Sequence, residues 1–147
     1  LSSSNRGILH TLMDLIEKDE YIGLIPRTAI ANKANAVLFV SLHCNASDNP
    51  NANGVEIVHH PFSDKGQKVA DAIIDCLLPA SGLRNRGVKG DQRGLAVLRH
   101  TKMPAVIIEI GFISNKKEEC LMEDGAWLSN VADAIALGID NYLQDKE

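Results

Sequence analysis

The segment Pro104–Ile110 constrains the fold most, because an apolar and largely β-branched run is interrupted near its end by Glu109. Such a run predicts a buried strand. A carboxylate in this setting is costly to desolvate unless a cation or a hydrogen-bond donor meets it. Fold stability gives no reason for a glutamate at this position, so Glu109 is a candidate functional residue.

A second predicted strand ends in a similar way. Residues 37–42 form an apolar run, and His43 follows them directly. In open α/β sheets, functional groups gather at the carboxyl ends of the strands, so two parallel strands would bring His43 and Glu109 to one edge. A neutral imidazole is a common zinc ligand, and a carboxylate beside a metal site can act as a general base. From the residues alone, a structural histidine and a glutamate that forms a salt bridge remain open alternatives.

Strands that alternate with helices predict one layered α/β domain with a largely parallel sheet. The spacing of apolar residues predicts helices at 8–18, 25–34, 64–78, 115–122 and 126–143. Strands are predicted at 37–42, 55–60, 95–98 and 104–110, with loops at 45–54 and 82–94.

Composition excludes several classes of protein. The 147 residues carry a net charge of −4, and basic residues are not interleaved with aromatic ones, which argues against nucleic-acid binding. No apolar run is long enough to span a membrane, and residues 1–5 do not resemble a signal peptide. The three cysteines have no CxxC spacing, so we expect free, semi-buried thiols.

Two motifs carry a resemblance to a known family. Ser41–Ala46 (SLHCNA) resembles S-[IL]-H-x-N-A, and Arg99–Asn115 resembles a signature in which R-x-T-x-M-P-A-V runs into a glutamate and then G-F-[IL]-S-N. Both belong to the zinc-dependent N-acetylmuramoyl-L-alanine amidases of the amidase type 3 family. Weaker matches to this family are Asp19, Tyr21, Leu24 and Arg27, then Ala31, Asn32 and Ala36, then Gly54–Glu56 and Arg86–Val88.

The resemblance implies a twisted, mostly parallel mixed sheet of six strands flanked by helices. It implies zinc-dependent hydrolysis of the amide between N-acetylmuramic acid and L-alanine in peptidoglycan. His43 resembles a zinc ligand, and Glu109 resembles the catalytic acid/base. Asn45 is expected either to help position substrate or to cap its loop. We also expect a monomer whose partner is peptidoglycan. It is expected to be either extracytoplasmic, in the periplasm or cell wall, or phage-encoded.

One departure from the family concerns its metal ligands. The family begins with a strand that ends in a Gly-His-Gly turn and a helix that bears a ligand glutamate, and neither is recognisable here. His10 lies within a helical pattern and is not assigned as a ligand. We therefore expect residues 1–147 to be an amidase catalytic domain without its first strand and helix. The alternatives are an inactive amidase-like protein that binds or regulates the wall, and a zinc peptidase that acts on the stem peptide.

Other polar residues have weaker assignments. We expect a surface or groove role for His59 and His60, and we expect His100 not to be a ligand. Four cations in the predicted loop at 82–94 are expected either to be solvated or to meet carboxylates of the stem peptide: Arg84, Arg86, Lys89 and Arg93.

Overall fold

The computed structural model describes residues 23–145, which form four strands and five helices. The strands are β1 (Phe39–Asn45), β2 (Val55–His59), β3 (Asn85–Gly90) and β4 (Ala105–Phe112). The helices are α1 (Leu24–Lys33), α2 (Asp64–Ser81), α3 (Ala96–Arg99), α4 (Lys116–Met122) and α5 (Gly125–Gln144). The predicted helix at 8–18 lies outside the described residues.

The strands form one mixed sheet in the order β1-β4-β2-β3. β1 runs parallel to β4, β2 runs parallel to β3, and the central pair of β2 and β4 is antiparallel. The predicted α/β fold with a mostly parallel mixed sheet is therefore confirmed. The described residues supply four strands, whereas the family resemblance implies six.

One face of the sheet is covered by α2, and α5 packs along α2. The core on this side is made of aliphatic side chains from the sheet and both helices, together with Trp127, whose indole N–H donates to the Ser81 carbonyl over 3.0 Å. At Gly138 a Cβ would lie 2.5 Å from the Cα of Ile73, so this glycine allows α5 to approach α2 closely.

A second, smaller apolar cluster lies on the opposite face, beneath α1 and α3. It contains Phe39, Val58 and Ile107 from the sheet, together with Ala31 from α1 and Leu98 from α3. The site described below lies on this face, because Glu109 is two residues beyond Ile107 and alternate residues of a strand share a face.

Two local predictions were wrong. Residues 85–90 were assigned to a loop but form β3, because pairing with β2 outweighs the weak strand propensity of Asn-Arg-Gly-Val-Lys-Gly. Residues 95–98 were assigned to a strand, but Ala96–Arg99 form one helical turn that buries Val97 and Leu98 in the second cluster. Four apolar residues in a row do not distinguish these two conformations. Among the described residues, no helix is long and apolar enough to cross a membrane.

Candidate active site

His43, Glu109 and Glu56 lie side by side across three neighbouring strands. Within the parallel pair of β1 and β4, His43 is the register partner of Glu109. Within the antiparallel pair of β4 and β2, Glu109 is the register partner of Glu56. Directly paired positions place their side chains on the same face of a sheet. The predicted meeting of His43 and Glu109 at one edge therefore occurs, and Glu56 joins them.

Glu109 is a buried carboxylate with an unpartnered oxygen. The residue is 9% exposed, and its Oε2 atom has no hydrogen-bond partner among the described residues. Burial raises the pKa of Glu109; His43 and Arg93 oppose the rise, and Glu56 adds to it. Glu109 therefore forms no salt bridge within the described part of the chain. It is instead a carboxyl group whose affinity for a proton is increased.

Glu56 is also buried, but one oxygen of its carboxylate binds two cations. Its Oε2 accepts from Lys89 Nζ over 2.8 Å and from Arg86 Nε over 3.1 Å. Burial alone would raise the pKa of Glu56, but the hydrogen bonds from Lys89 and Arg86 outweigh it and hold that pKa below its usual range. Arg86 also lies over the ring of Phe112, 4.9 Å from its centroid. Glu56 is therefore a fixed anion beside Glu109.

This ion cluster corrects the interpretation of the basic segment. Arg86 and Lys89 do not lie on a solvated loop; they project from β3 and bind Glu56. Arg84 and Arg93 are exposed. Glu56 was not predicted as a member of the site, although the Gly54–Glu56 match to the family motif was a signal for it.

His43 is exposed on β1, the outer strand of the sheet that the described residues form, and its Nε2 lies 2.7 Å from Ser41 Oγ. Ser41 and His43 are two residues apart and share a face of the strand, so the hydroxyl group orients the imidazole. An oriented imidazole is a suitable metal ligand.

A zinc ion is only partly accommodated by the described residues. His43 offers one ligand nitrogen, and the unpartnered oxygen of Glu109 is the kind of group that a nearby cation would satisfy. A catalytic zinc site usually has three protein ligands. Residues 23–145 contain no group of three His, Cys, Asp or Glu side chains placed to hold a metal.

The loop after β1 is tied to the segment that follows β4. Asn45 Oδ1 accepts from the Ala46 N–H over 2.9 Å, and the Asn45 carbonyl accepts from the Ile113 N–H over 2.8 Å. The Ser114 hydroxyl oxygen accepts from the Ser47 N–H over 3.0 Å. The side-chain oxygen of Asn45 thus makes a local loop contact of the kind expected for a capping residue.

Glu118 of α4 is a buried anchor that the sequence analysis did not find. It is 4% exposed, and its two carboxylate oxygens accept from the Gly54 N–H over 2.8 Å and from the Phe112 N–H over 2.7 Å. These bonds join the residue before β2 to the last residue of β4. Glu118 therefore holds together the two strands that carry Glu56 and Glu109.

The exposure of His59 and of two cysteines differs from what the sequence predicts. His59 is 6% exposed and its Nδ1 contacts the His60 carbonyl at 2.8 Å, so the expected surface or groove role of His59 was wrong. Its position beneath α2 follows from its register partner Val106, which faces the larger core. The cysteines are free as predicted, but Cys44 and Cys120 are exposed rather than semi-buried.

The chain matches known proteins over most of its length. A family model described as N-acetylmuramoyl-L-alanine amidase (Amidase_3) matches residues 4–141. The probable cell wall amidase LytH of Staphylococcus epidermidis is 36% identical over 125 residues, which cover 85% of this chain and 40% of that protein. The endolysin of Bacillus phage SPP1 is 36% identical over 137 residues, which cover 89% of this chain and 49% of that protein. The chain therefore spans less than half the length of these two relatives.

Solved structures show the same fold. The N-acetylmuramoyl-L-alanine amidase from Clostridium difficile 630 superposes with a TM-score of 0.82 at 32% identity, covering 88% of this chain and 69% of that one. The catalytic domain of CwlV, an N-acetylmuramoyl-L-alanine amidase from Bacillus (Paenibacillus) polymyxa, gives a TM-score of 0.80 at 35% identity, covering 86% and 68%. The two motifs that contain His43 and Glu109 meet at one edge of the sheet. Because the family model also covers nearly the whole chain, this chain belongs to the N-acetylmuramoyl-L-alanine amidase family.

Proposed function

We propose that residues 1–147 belong to the catalytic domain of a peptidoglycan amidase, which hydrolyses the amide between N-acetylmuramic acid and L-alanine. The observation that carries the proposal is the buried Glu109 carboxyl, opposite His43 across the pair of β1 and β4. One oxygen of this carboxyl has no partner in the described part of the chain. The amidase names of the relatives support the same reaction.

In this proposal Glu109 is the general acid/base. Its raised pKa brings the carboxyl closer to the range in which a group accepts and returns a proton during turnover. The unpartnered oxygen takes a proton from the attacking water as the new C–O bond forms at the amide carbonyl carbon. The same oxygen then delivers that proton to the departing L-alanine nitrogen as the C–N bond breaks.

The fixed anion at Glu56 supports this role. Because Lys89 and Arg86 hold Glu56 ionised, its negative charge stays next to Glu109 throughout the reaction. That charge makes the proton on Glu109 more stable between the two transfers. Glu56 is thus a positioning and electrostatic residue rather than a proton carrier.

We propose zinc as the cofactor, with His43 as one of its ligands. At least one further protein ligand would have to come from outside residues 23–145, since this part of the chain contains no group of three metal-ligating side chains. The chemistry that zinc supplies when bound is polarisation of the amide carbonyl and a lower pKa for water. The proximity of His43 to an unpartnered carboxylate oxygen supports this assignment.

We further propose that Asn45 contacts substrate through its amide nitrogen, since its oxygen already accepts from the Ala46 N–H. The partner is peptidoglycan and the protein acts as a monomer. The protein is either extracytoplasmic, in the periplasm or cell wall, or phage-encoded. Names such as cell wall amidase and endolysin among the relatives support peptidoglycan as the partner and the proposed location.

The Glu109→Gln variant tests the proposal. We expect kcat to fall by roughly 10²–10⁴-fold, which is the usual contribution of a general acid/base. Zinc content should stay unchanged, and the free energy of unfolding should not fall. The variant replaces a buried carboxylate, one of whose oxygens has no partner within residues 23–145, by a neutral amide of similar shape. Glu119→Gln, the same change on the surface of α4, is the control.

Product analysis accompanies the rate measurement. An amidase releases a free L-alanine amine and a free lactyl carboxyl, whereas a peptidase would leave the lactyl amide intact. Full activity of Glu109→Gln, or a loss of stability that accounts for the lost activity, would remove Glu109 from the proposed role.

A further inference from the structure

A groove of about 420 Å³ opens beside Glu56, on the side of Glu109 away from His43. It lies between the ends of β2 and β3 and the turn at residues 91–93. Its walls include Glu56, Val58, Lys89, Asp91, Gln92 and Arg93. The groove is thus placed to hold one half of a substrate whose scissile amide lies at Glu109.

The charges of this groove leave one cation available to a ligand. Lys89 is engaged by Glu56 at 2.8 Å. The Asp91 carboxylate accepts from the backbone N–H groups of Arg93 and Leu95, over 2.9 and 2.7 Å. Arg93 is exposed and forms no ion pair among residues 23–145, yet its charge acts on both Glu109 and Asp91. Its guanidinium therefore lies close to Glu109 and forms no ion pair with the described residues of the site.

The turn that carries Arg93 is held in place from both sides. The Asp91 N–H donates to the His59 carbonyl over 2.8 Å, which attaches the turn to the end of β2. Asp91 is itself 4% exposed, so its two bonds to the turn are shielded from water. A cation on a fixed turn loses less conformational freedom when it binds a ligand.

We propose that Arg93 binds a carboxylate in the peptide half of the substrate, so that this groove selects an acidic stem peptide. The inference rests on the proposed amidase function. In peptidoglycan, the residue after L-alanine is D-glutamate, whose α-carboxyl group is either free or amidated. The glycan half presents hydroxyl and acetamido groups. A groove whose Arg93 guanidinium forms no ion pair within residues 23–145 therefore fits the peptide half better. Arg93 is a specificity-determining residue, and Asp91 positions it.

The experiment compares two soluble muramoyl peptides that differ at the α-carboxyl of the D-glutamate, one free and one carboxamide. With zinc supplied, we expect the protein to hydrolyse the free acid with the lower KM. Arg93→Gln should raise KM for the free acid about 10-fold or more, the range of a charge-assisted hydrogen bond. It should leave the KM for the carboxamide unchanged. Any change in kcat that follows from losing the Arg93 charge near Glu109 should be the same for both peptides. Arg93→Lys, which keeps the charge without the planar fork, should recover part of the loss.

Lys65→Gln is the control, because it removes one exposed cation in the first turn of α2, outside this groove. An equal change in KM for both peptides in Arg93→Gln, or a wild-type protein that does not distinguish them, would overturn the inference.

If neither peptide is hydrolysed, the proposed function fails. Titration with L-alanyl-γ-D-glutamate and its α-carboxamide, followed by NMR without zinc, then still decides the role of Arg93. Loss of binding of the acid in Arg93→Gln supports it, and equal binding of both dipeptides refutes it.

Discussion

Replacing Glu118 by alanine should destabilise the protein strongly, although this residue touches no substrate in the proposed reaction. Its carboxylate accepts from the Gly54 and Phe112 N–H groups at 2.8 and 2.7 Å in a position that is 4% exposed. The substitution leaves two buried donors without acceptors, and each such donor costs about 1–3 kcal/mol. We therefore expect the free energy of unfolding to fall by about 3 kcal/mol, a large share of the roughly 5–15 kcal/mol typical of a domain.

Urea unfolding followed by circular dichroism measures this loss, with EDTA present so that metal binding does not contribute. With a urea m-value of about 2 kcal/mol per M, the midpoint should fall by roughly 1.5 M. Glu118→Gln keeps one acceptor oxygen and should lose about half as much. Glu123→Ala, at an exposed position just after α4, should leave the midpoint unchanged. A loss below about 1 kcal/mol for Glu118→Ala would show that both N–H groups find other acceptors, which would refute the reasoning.

Two further predictions concern packing and pH. Gly138→Ala should lower the free energy of unfolding by about 1–3 kcal/mol. The new Cβ would lie 2.5 Å from Ile73 Cα and 2.8 Å from the Ala72 carbonyl oxygen. A variant that is more stable than wild type in thermal unfolding would contradict this. For Asp91, burial alone would raise the pKa, but hydrogen bonds from the backbone N–H groups of Arg93 and Leu95 hold it below its usual value. Its stabilising effect is then complete above the unfolded pKa of about 3.9 and is lost as the pH falls through the lower folded pKa. The stability difference between wild type and Asp91→Asn should shrink on acidification below about pH 4, and a difference that grows there would be inconsistent with this sign.

Much of the fold follows from local patterns. The apolar runs of β1 and β4 were assigned as strands because a short continuous apolar segment, rich in β-branched residues and bounded by turn residues, is typical of a buried strand. The predicted helices at 64–78 and 126–143 match α2 and α5 with small differences at their ends. The residues just before these helices, Ser63 and Asp124, cap them, because their side chains accept from backbone N–H groups of the first turn.

Assignments failed where a partner distant in the chain decides the conformation. β3 is a strand because it pairs with β2, and its own residues have little tendency to be one. His59 was expected at the surface, but its place beneath α2 depends on which face of the sheet its register partner occupies.

The sequence by itself determined that two apolar strands end in His43 and Glu109, because the cost of burying a polar side chain makes each of them conspicuous in its own segment. Only the tertiary structure decided that Glu56 stands on the other side of Glu109, held by Arg86 thirty residues further along the chain. The physical reason is that strand order and register arise from packing of the whole sheet on its helices, so the charges that face a buried carboxylate cannot be deduced from its neighbours in sequence.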